Sequence, residues 1–175
     1  MPATRDELMT FLSDLGVTVT TIDHPPLHTV AESQKLRGTI AGGHTKNLFV
    51  KDKKSRHFLV VAEEDRAVDL KSLHKLIGAQ GRLSFAGPDA MMAMLGVTPG
   101  SVTAFGVLND RGGQVTVVLD EGLTLHDMVN CHPLTNTATT TIAIDGLMTF
   151  FKATGHEPLM TRLDTPAEQA RGQDG

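Results

Sequence analysis

A chain of 175 residues is long enough for one domain with a proper hydrophobic core, and with 40% apolar residues it has no apolar run long enough to cross a bilayer. A net charge of −4 excludes strong non-specific binding to nucleic acid, and the single cysteine, Cys131, excludes an internal disulfide framework and points to a reducing compartment. The polar, acidic N-terminus carries no signal-peptide pattern, so a cytoplasmic location is expected. With no Trp and no Tyr, only Phe and His remain to stack on a base.

Thr4-Arg5-Asp6-Glu7 reads as a capping box. Leu8, Phe11, Leu12 and Leu15 follow at helical spacing, and Gly16 is a natural stop. Val17 to Ile22 alternates like a strand and is broken by Asp23-His24-Pro25-Pro26. Thr29 to Glu32 is a second capping box, opening a short helix that ends near Gly38. A hairpin is expected from Leu48–Lys51 and Phe58–Ala62 around Asp52-Lys53-Lys54-Ser55. A helix follows over Asp69 to Ile77, then a short strand over Arg82 to Ala86, then a helix from Pro88 to Gly96. Gln114 to Leu119 and Thr139 to Ile144 read as strands. Asp145 is positioned to cap a helix reaching Thr154, and Pro158 to Leu163 forms a last strand. Residues 1–164 make one domain without repeat or linker, and 165–175 is a polar tail expected to be disordered. The elements predict an α+β fold, with helices around a mixed central sheet.

Three segments carry chemistry. In Gly42-Gly43-His44-Thr45-Lys46-Asn47, the glycines allow close backbone approach and Lys46 supplies a cation for a phosphate or an oxyanion. Pro99-Gly100-Ser101-Val102-Thr103 offers backbone N–H groups and hydroxyls. His132-Pro133-Leu134-Thr135-Asn136-Thr137 offers an imidazole and an amide. Together they describe a pocket for a polar, partly anionic ligand. Each also has a plainer reading: a surface lysine before a strand, a turn glycine after Pro99, a rigid turn at His132-Pro133. Met91, Met92 and Met94 read as core filler. Lys46, Lys51, Lys53, Lys54 and Arg56 cluster in one stretch, with Lys71 and Lys75 further on. That is either a solvated hairpin tip or a local basic patch suited to a few phosphates.

Other chemistries are set aside. His44 and Thr45 separate Gly43 from Lys46, and Asn47 follows, so the P-loop order is missing. There is no HExxH and no paired CxxC, and Pro25-Pro26 keep His24 and His28 off a common helical face, so no metal or other cofactor is expected. Cys131 and His132 are adjacent in an extended segment and point to opposite faces, which argues against a Cys–His nucleophile.

The order Thr45-Lys46-Asn47-Leu48-Phe49, then Gly96-Val97-Thr98-Pro99-Gly100-Ser101-Val102 with Phe105-Gly106 after it, then His132 to Thr139, resembles the YbaK/ProRS-associated editing domains. Within them it is most similar to the free-standing ProXp-ala (PrdX-type) deacylases, over about Thr4 to Leu163. The resemblance implies a curved central sheet with a ligand cleft at its open side. It also implies hydrolysis of the ester of a wrongly charged aminoacyl-tRNA, with alanine on tRNA(Pro) as substrate. Cys-tRNA(Pro) or another small mischarged residue is the alternative substrate, and a non-catalytic module binding aminoacyl-tRNA or the synthetase is the rival class. The family's Gly-x-x-x-Pro loop falls on Gly100 to Ala104, where Ala104 replaces the proline.

An aminoacyl ester is already activated and needs a positioned water and a stabilised oxyanion. The 2′-OH of the terminal adenosine can position that water, so no protein triad is required. On this reading Lys46 and Gly100 are catalytic, Lys46 on the terminal phosphate or the carbonyl oxygen. Thr45, Asn47, Ser101, Val102, His132 and Asn136 bind substrate. The expected partners are the acceptor end of mischarged tRNA(Pro) and prolyl-tRNA synthetase, with no membrane, and the protein is expected to be a monomer.

Overall fold

The computed structural model describes residues 1–26, 32, 35 and 40–163. The second predicted capping box, most of its helix, His28 and the predicted tail lie outside the described residues.

Local signals place the first elements. Helix α1 (Arg5–Asp14) starts where the Thr4 hydroxyl accepts from the Glu7 N–H, and it stops before Gly16, whose φ is +76°. Strand β1 (Val19–Asp23) follows. Strands β2 (Gly43–Lys51) and β3 (His57–Glu63) form the predicted hairpin, but each is longer than expected. β2 begins at Gly43, so the glycine-rich segment expected to precede the strand is itself strand, because its residues pair with β3 from Thr45↔Glu63 onward. Helix α2 (Leu70–Leu76) is capped by Asp69, whose carboxylate accepts from the Lys71 N–H. After the two-residue strand β4 (Ser84–Phe85), helix α3 (Pro88–Leu95) starts on its proline and ends at the left-handed Gly96.

Strand β5 (Val115–Asp120), strand β6 (Met128–Cys131), strand β7 (Ala138–Ala143), helix α4 (Ile144–Ala153) and strand β8 (Leu159–Thr161) complete the described chain. α4 follows β7 without a side-chain cap. The Ile144 N–H is satisfied by the Asp127 carbonyl, so Asp145 sits inside the first turn instead of at the predicted cap.

The sheet is mixed, in the order β1-β7-β6-β2-β3-β5-β8, with β4 beside β2. β2–β6, β3–β5 and β5–β8 are parallel, and the other pairs antiparallel. Both faces of its centre are covered, so residues along β2, β3 and β5 alternate between two cores. Phe49, Leu59, Val61, Val117 and Leu119 pack with α1, α3 and α4. Val50, Phe58, Val60, Ala62 and Val118 pack with Leu73 and Ile77. The larger core is pinned by Phe150, which meets Phe105 and Phe11 edge-on at 5.2 and 5.9 Å between ring centroids.

β2 has β3 along one side for nearly its whole length. On its other side it meets β6 only at Gly43 and His44, and β4 only at Val50 and Lys51. Between those contacts β2 has no strand neighbour on that side among the described residues, and Lys46 and Asn47 lie in the gap.

Candidate active site

At one end of the gap, β6 is tied to the start of β2 by buried polar contacts. Asn130, in β6, donates to the carbonyls of Ala41 and Gly43 and accepts from the Thr141 hydroxyl. Gly42 and Gly43 bring the chain against this strand. A Cβ on Gly42, at φ +104°, would lie 2.9 Å from the Met128 carbonyl oxygen, and one on Gly43 would lie 2.6 Å from the His126 ring. The close approach these glycines allow is therefore to β6 and His126. His126 in turn pairs with Glu63, which also faces Arg66 at 3.5 Å, and Arg66 faces Asp120 at 3.6 Å.

Strand alternation sorts the predicted residues. Lys46 lies opposite Ala62 on the α2 side of the sheet, whereas Thr45 and Asn47 point to the other side, toward Val61 and the larger core. The Thr45 hydroxyl donates to the Asn130 carbonyl at 2.7 Å and also lies 3.7 Å from Cys131 Sγ. Its proton is thereby committed to holding β2 against β6. Asn47 Oδ1 is buried and has no hydrogen-bond partner. The ammonium of Lys46, half-buried, makes no hydrogen bond or ion pair among the described residues. Because β2 and β6 are parallel and Thr45 meets Cys131, the next residues, Lys46 and His132, occupy matching positions just beyond the last strand pair.

His132 is held from several directions. Its Nδ1 lies 3.3 Å from the Ala138 carbonyl, and its own carbonyl accepts from the Thr103 hydroxyl at 2.6 Å. Burial pushes its pKa below the ordinary histidine value, and nearby His24 adds to this, against the opposing pull of the Ala138 carbonyl and Glu64. The ring is consequently favoured neutral near pH 7. Leu134, two residues on, has φ +66°, strained for a branched side chain, where the chain turns sharply after Pro133.

The glycine loop and the downstream segment do meet. A Cβ on Gly100 would touch only Asn136 Nδ2, at 3.4 Å, and Gly100 is exposed with φ outside the left-handed region. Neither conformation nor crowding requires glycine there. Gly100 sits in the first turn of a 3-10 helix (Pro99–Ser101), where its N–H has no intrahelical partner. The Ser101 N–H, expected to face substrate, is instead given to the Thr98 carbonyl at 2.9 Å, and Ser101 is buried. Val102 is half-buried against the larger core. Ala104, at the position of the family's proline, is fully buried, and Thr103 ties the loop down through His132 and by accepting from the Phe105 N–H.

Cys131 is buried, and burial pushes its thiol up to about 11, against the opposing effect of the Thr45 hydroxyl. It carries almost no thiolate at neutral pH. Cys131→Ala should retain wild-type single-turnover rates, and a thiol-alkylating reagent should leave the native enzyme active. A dead but folded Cys131→Ala protein would restore a thiol nucleophile.

Sequence reasoning treated His24 only as a metal ligand to be discounted. In the structure its Nε2 lies 2.9 Å from the Thr139 hydroxyl, its Nδ1 lies 2.9 Å from the Pro25 carbonyl, and it is within electrostatic reach of His132. Glu64 reaches the same place from the end of β3. The only sequence signal for His24 was the His-Pro-Pro break after β1.

Comparison with known proteins bears on the family and the fold. The model of the aminoacyl-tRNA editing domain matches residues 24–150. The chain is 40% identical over 146 residues to the prolyl-tRNA editing protein ProX of Acetoanaerobium sticklandii, covering 83% of this chain and 88% of that one. It is 39% identical over 162 residues to the prolyl-tRNA synthetase associated domain-containing protein 1 of Danio rerio, covering 91% and 88%. A crystal structure described as a candidate trans-editing enzyme for prolyl tRNA synthetase superposes with a TM-score of 0.71 at 20% identity, over 94% of this chain and 99% of that one, which supports the fold. On the strength of the matched model and of these two relatives, this chain belongs to the aminoacyl-tRNA editing domain family.

Proposed function

We propose that the protein is an aminoacyl-tRNA deacylase that clears mischarged tRNA(Pro), with alanine as the residue removed. The observation that carries the reading is Lys46, a cation without a partner among the described residues, set in the gap of β2 beside His132. A lysine with no ion pair among the described residues is suited to a phosphate or a developing oxyanion. Gly100, which the fold does not require to be glycine, leaves room for close approach of the ribose or the ester. His132 and Asn136 form the adjoining wall, and Asn47 supplies an unsatisfied amide oxygen behind it. Water adds to the ester carbonyl carbon, the bond to O3′ breaks, and the proton ends on the 3′-oxygen. The substrate's 2′-OH positions the water, and the protein's part is orientation and charge.

Selection for alanine follows from size, since a pocket excludes a larger side chain by overpacking far better than it excludes a smaller one. The test is a substrate panel: purified protein incubated with alanyl-, cysteinyl- and prolyl-tRNA(Pro), following ester loss. Alanyl ester should disappear fastest and prolyl ester should persist. Faster loss of cysteinyl ester would reassign the substrate, and loss of none would leave a binding module. We also place the protein in the cytoplasm, as a monomer working beside prolyl-tRNA synthetase. No helix among the described residues is long and apolar enough to cross a membrane.

A further inference from the structure

Phe85 is the exception among the aromatic side chains. Of the chain's seven phenylalanines, Phe49, Phe58, Phe105, Phe150 and Phe151 are fully buried and Phe11 is half-buried in the larger core, while Phe85 is 62% exposed. It belongs to β4, which pairs with the far end of β2 through Val50↔Phe85 and Lys51↔Ser84.

The surroundings of Phe85 are cationic. Lys51, Lys53, Lys54 and Arg56 line the β2–β3 turn, and Arg82 stands three residues before Phe85 in sequence; all are exposed. With Lys71 and Lys75 on α2 they are seven of the chain's 16 lysines and arginines, although the chain as a whole is acidic. The one acid in this turn, Asp52, is buried. Burial alone would raise its pKa, but N–H bonds from Gln80, Arg56 and Lys54, with the Arg56 charge, hold the carboxyl below its usual range. No Asp or Glu occurs from Leu70 to Pro88. The turn is fixed in place, since the Lys53 N–H donates to the Gln80 carbonyl and the Lys53 side chain lies across Gly81. This is a rigid basic surface with one exposed ring, the pairing of charge and stacking face used to hold unpaired nucleotides.

Directly paired residues share a face, and alternation along β2 puts Lys46 on the same face as Val50, so Lys46 and Phe85 project to one side of the sheet. Four residues of strand separate their positions, about 13 Å at ~3.3 Å per residue. That distance is spanned by about four stacked nucleotides at roughly 3.4 Å each, or fewer if the strand is extended.

Resting on the deacylase reading, we propose that Phe85 stacks on a base of the unpaired 3′ tail of the tRNA, upstream of the adenosine held at Lys46, while Lys53, Lys54 and Arg82 contact the neighbouring phosphates. The test measures binding of two uncharged RNA hairpins with the proline acceptor-stem sequence, one with its unpaired 3′ tail and one blunt. Phe85→Ala should weaken the tailed hairpin by roughly 5- to 100-fold, the range for losing one stacked base, and leave the blunt one unchanged. Phe85→Leu should lose most of the same affinity at an unchanged Tm, because it keeps apolar bulk and removes the ring. Replacing Lys53 and Lys54 with alanine should weaken the tailed hairpin more than the blunt one and flatten its salt dependence. Wild-type binding of the tailed hairpin by Phe85→Ala, equal loss on both hairpins, or full rescue by leucine would each overturn the proposal, the last pointing to an apolar protein partner. If the wild-type protein cleaves alanyl-tRNA while Phe85→Ala binds normally, this inference fails alone. If Phe85-dependent tail binding occurs without hydrolysis of any aminoacyl ester, the deacylase reading fails alone.

Discussion

Lys46→Ala should lower deacylation by on the order of 10²-fold or more, the usual cost of removing one group that stabilises developing charge, while the protein stays folded. The fold is expected to tolerate the change because the ammonium is half-buried and has no ion pair among the described residues, so its removal strands no buried partner. The alanine would face Ala62 across the hairpin, where a small side chain is already accommodated. Lys46→Arg separates two roles: a guanidinium keeps the charge but presents a wider planar fork, so partial activity would indicate a phosphate contact and near-complete loss a compact oxyanion contact. Single-turnover rates with alanyl-tRNA(Pro), beside a thermal melt of each variant, make the measurement. Wild-type turnover by a folded Lys46→Ala protein would remove Lys46 from the chemistry.

Replacing the terminal adenosine by 2′-deoxyadenosine, with alanine on the 3′-oxygen, should reduce turnover by about 10²- to 10⁴-fold, the span of general acid–base assistance. Affinity should fall much less. The groups around the gap explain the expectation. Cys131 is held as a thiol by burial, the Thr45 hydroxyl gives its proton to Asn130, and the Ser101 hydroxyl sits on a buried residue. His132, favoured neutral, is suited to orient a group beside Lys46, with its Nδ1 directed at Ala138. The vicinal hydroxyl of the ribose accompanies every substrate and lies next to the scissile bond. Rapid cleavage of the deoxy substrate would show that a protein group activates the water, and His132→Ala would then be the next variant to measure.

Elements with local causes were legible in the sequence. α1 carries its cap at Thr4 and its stop at Gly16, and α3 carries Pro88 and Gly96, so a few neighbouring residues decide both ends. β6 was not legible. It is four residues long, its Asn130 breaks the apolar pattern, and its partner β2 lies more than 80 residues away. Asn130 is tolerated in a buried strand because Ala41, Gly43 and Thr141 satisfy its amide. The start of β2 was hidden for a related reason: the strand was expected only from Leu48, after the glycines at 42 and 43, and it is crowding from Met128 and His126 that requires those glycines. Asp145 had the sequence of a cap, but the carbonyl of Asp127 had already satisfied the helix end.

The site divides in the same way. The sequence by itself determined which three segments carry the candidate chemistry and the family to which the chain belongs, because residue type and order along those segments are one-dimensional properties. It also separated Cys131 from His132, since alternation in an extended chain is local. Only the tertiary structure decided that Lys46 and His132 fall at matching positions beyond the β2–β6 pairs, that Thr45 and Asn47 face away from Lys46, and that the Ser101 N–H is spent on Thr98. It also brought His24 and Glu64 to His132 and left Phe85 uncovered at the far end of β2. These facts depend on which strands pair and in what register, and register is set by contacts between residues remote in sequence, which no local pattern encodes.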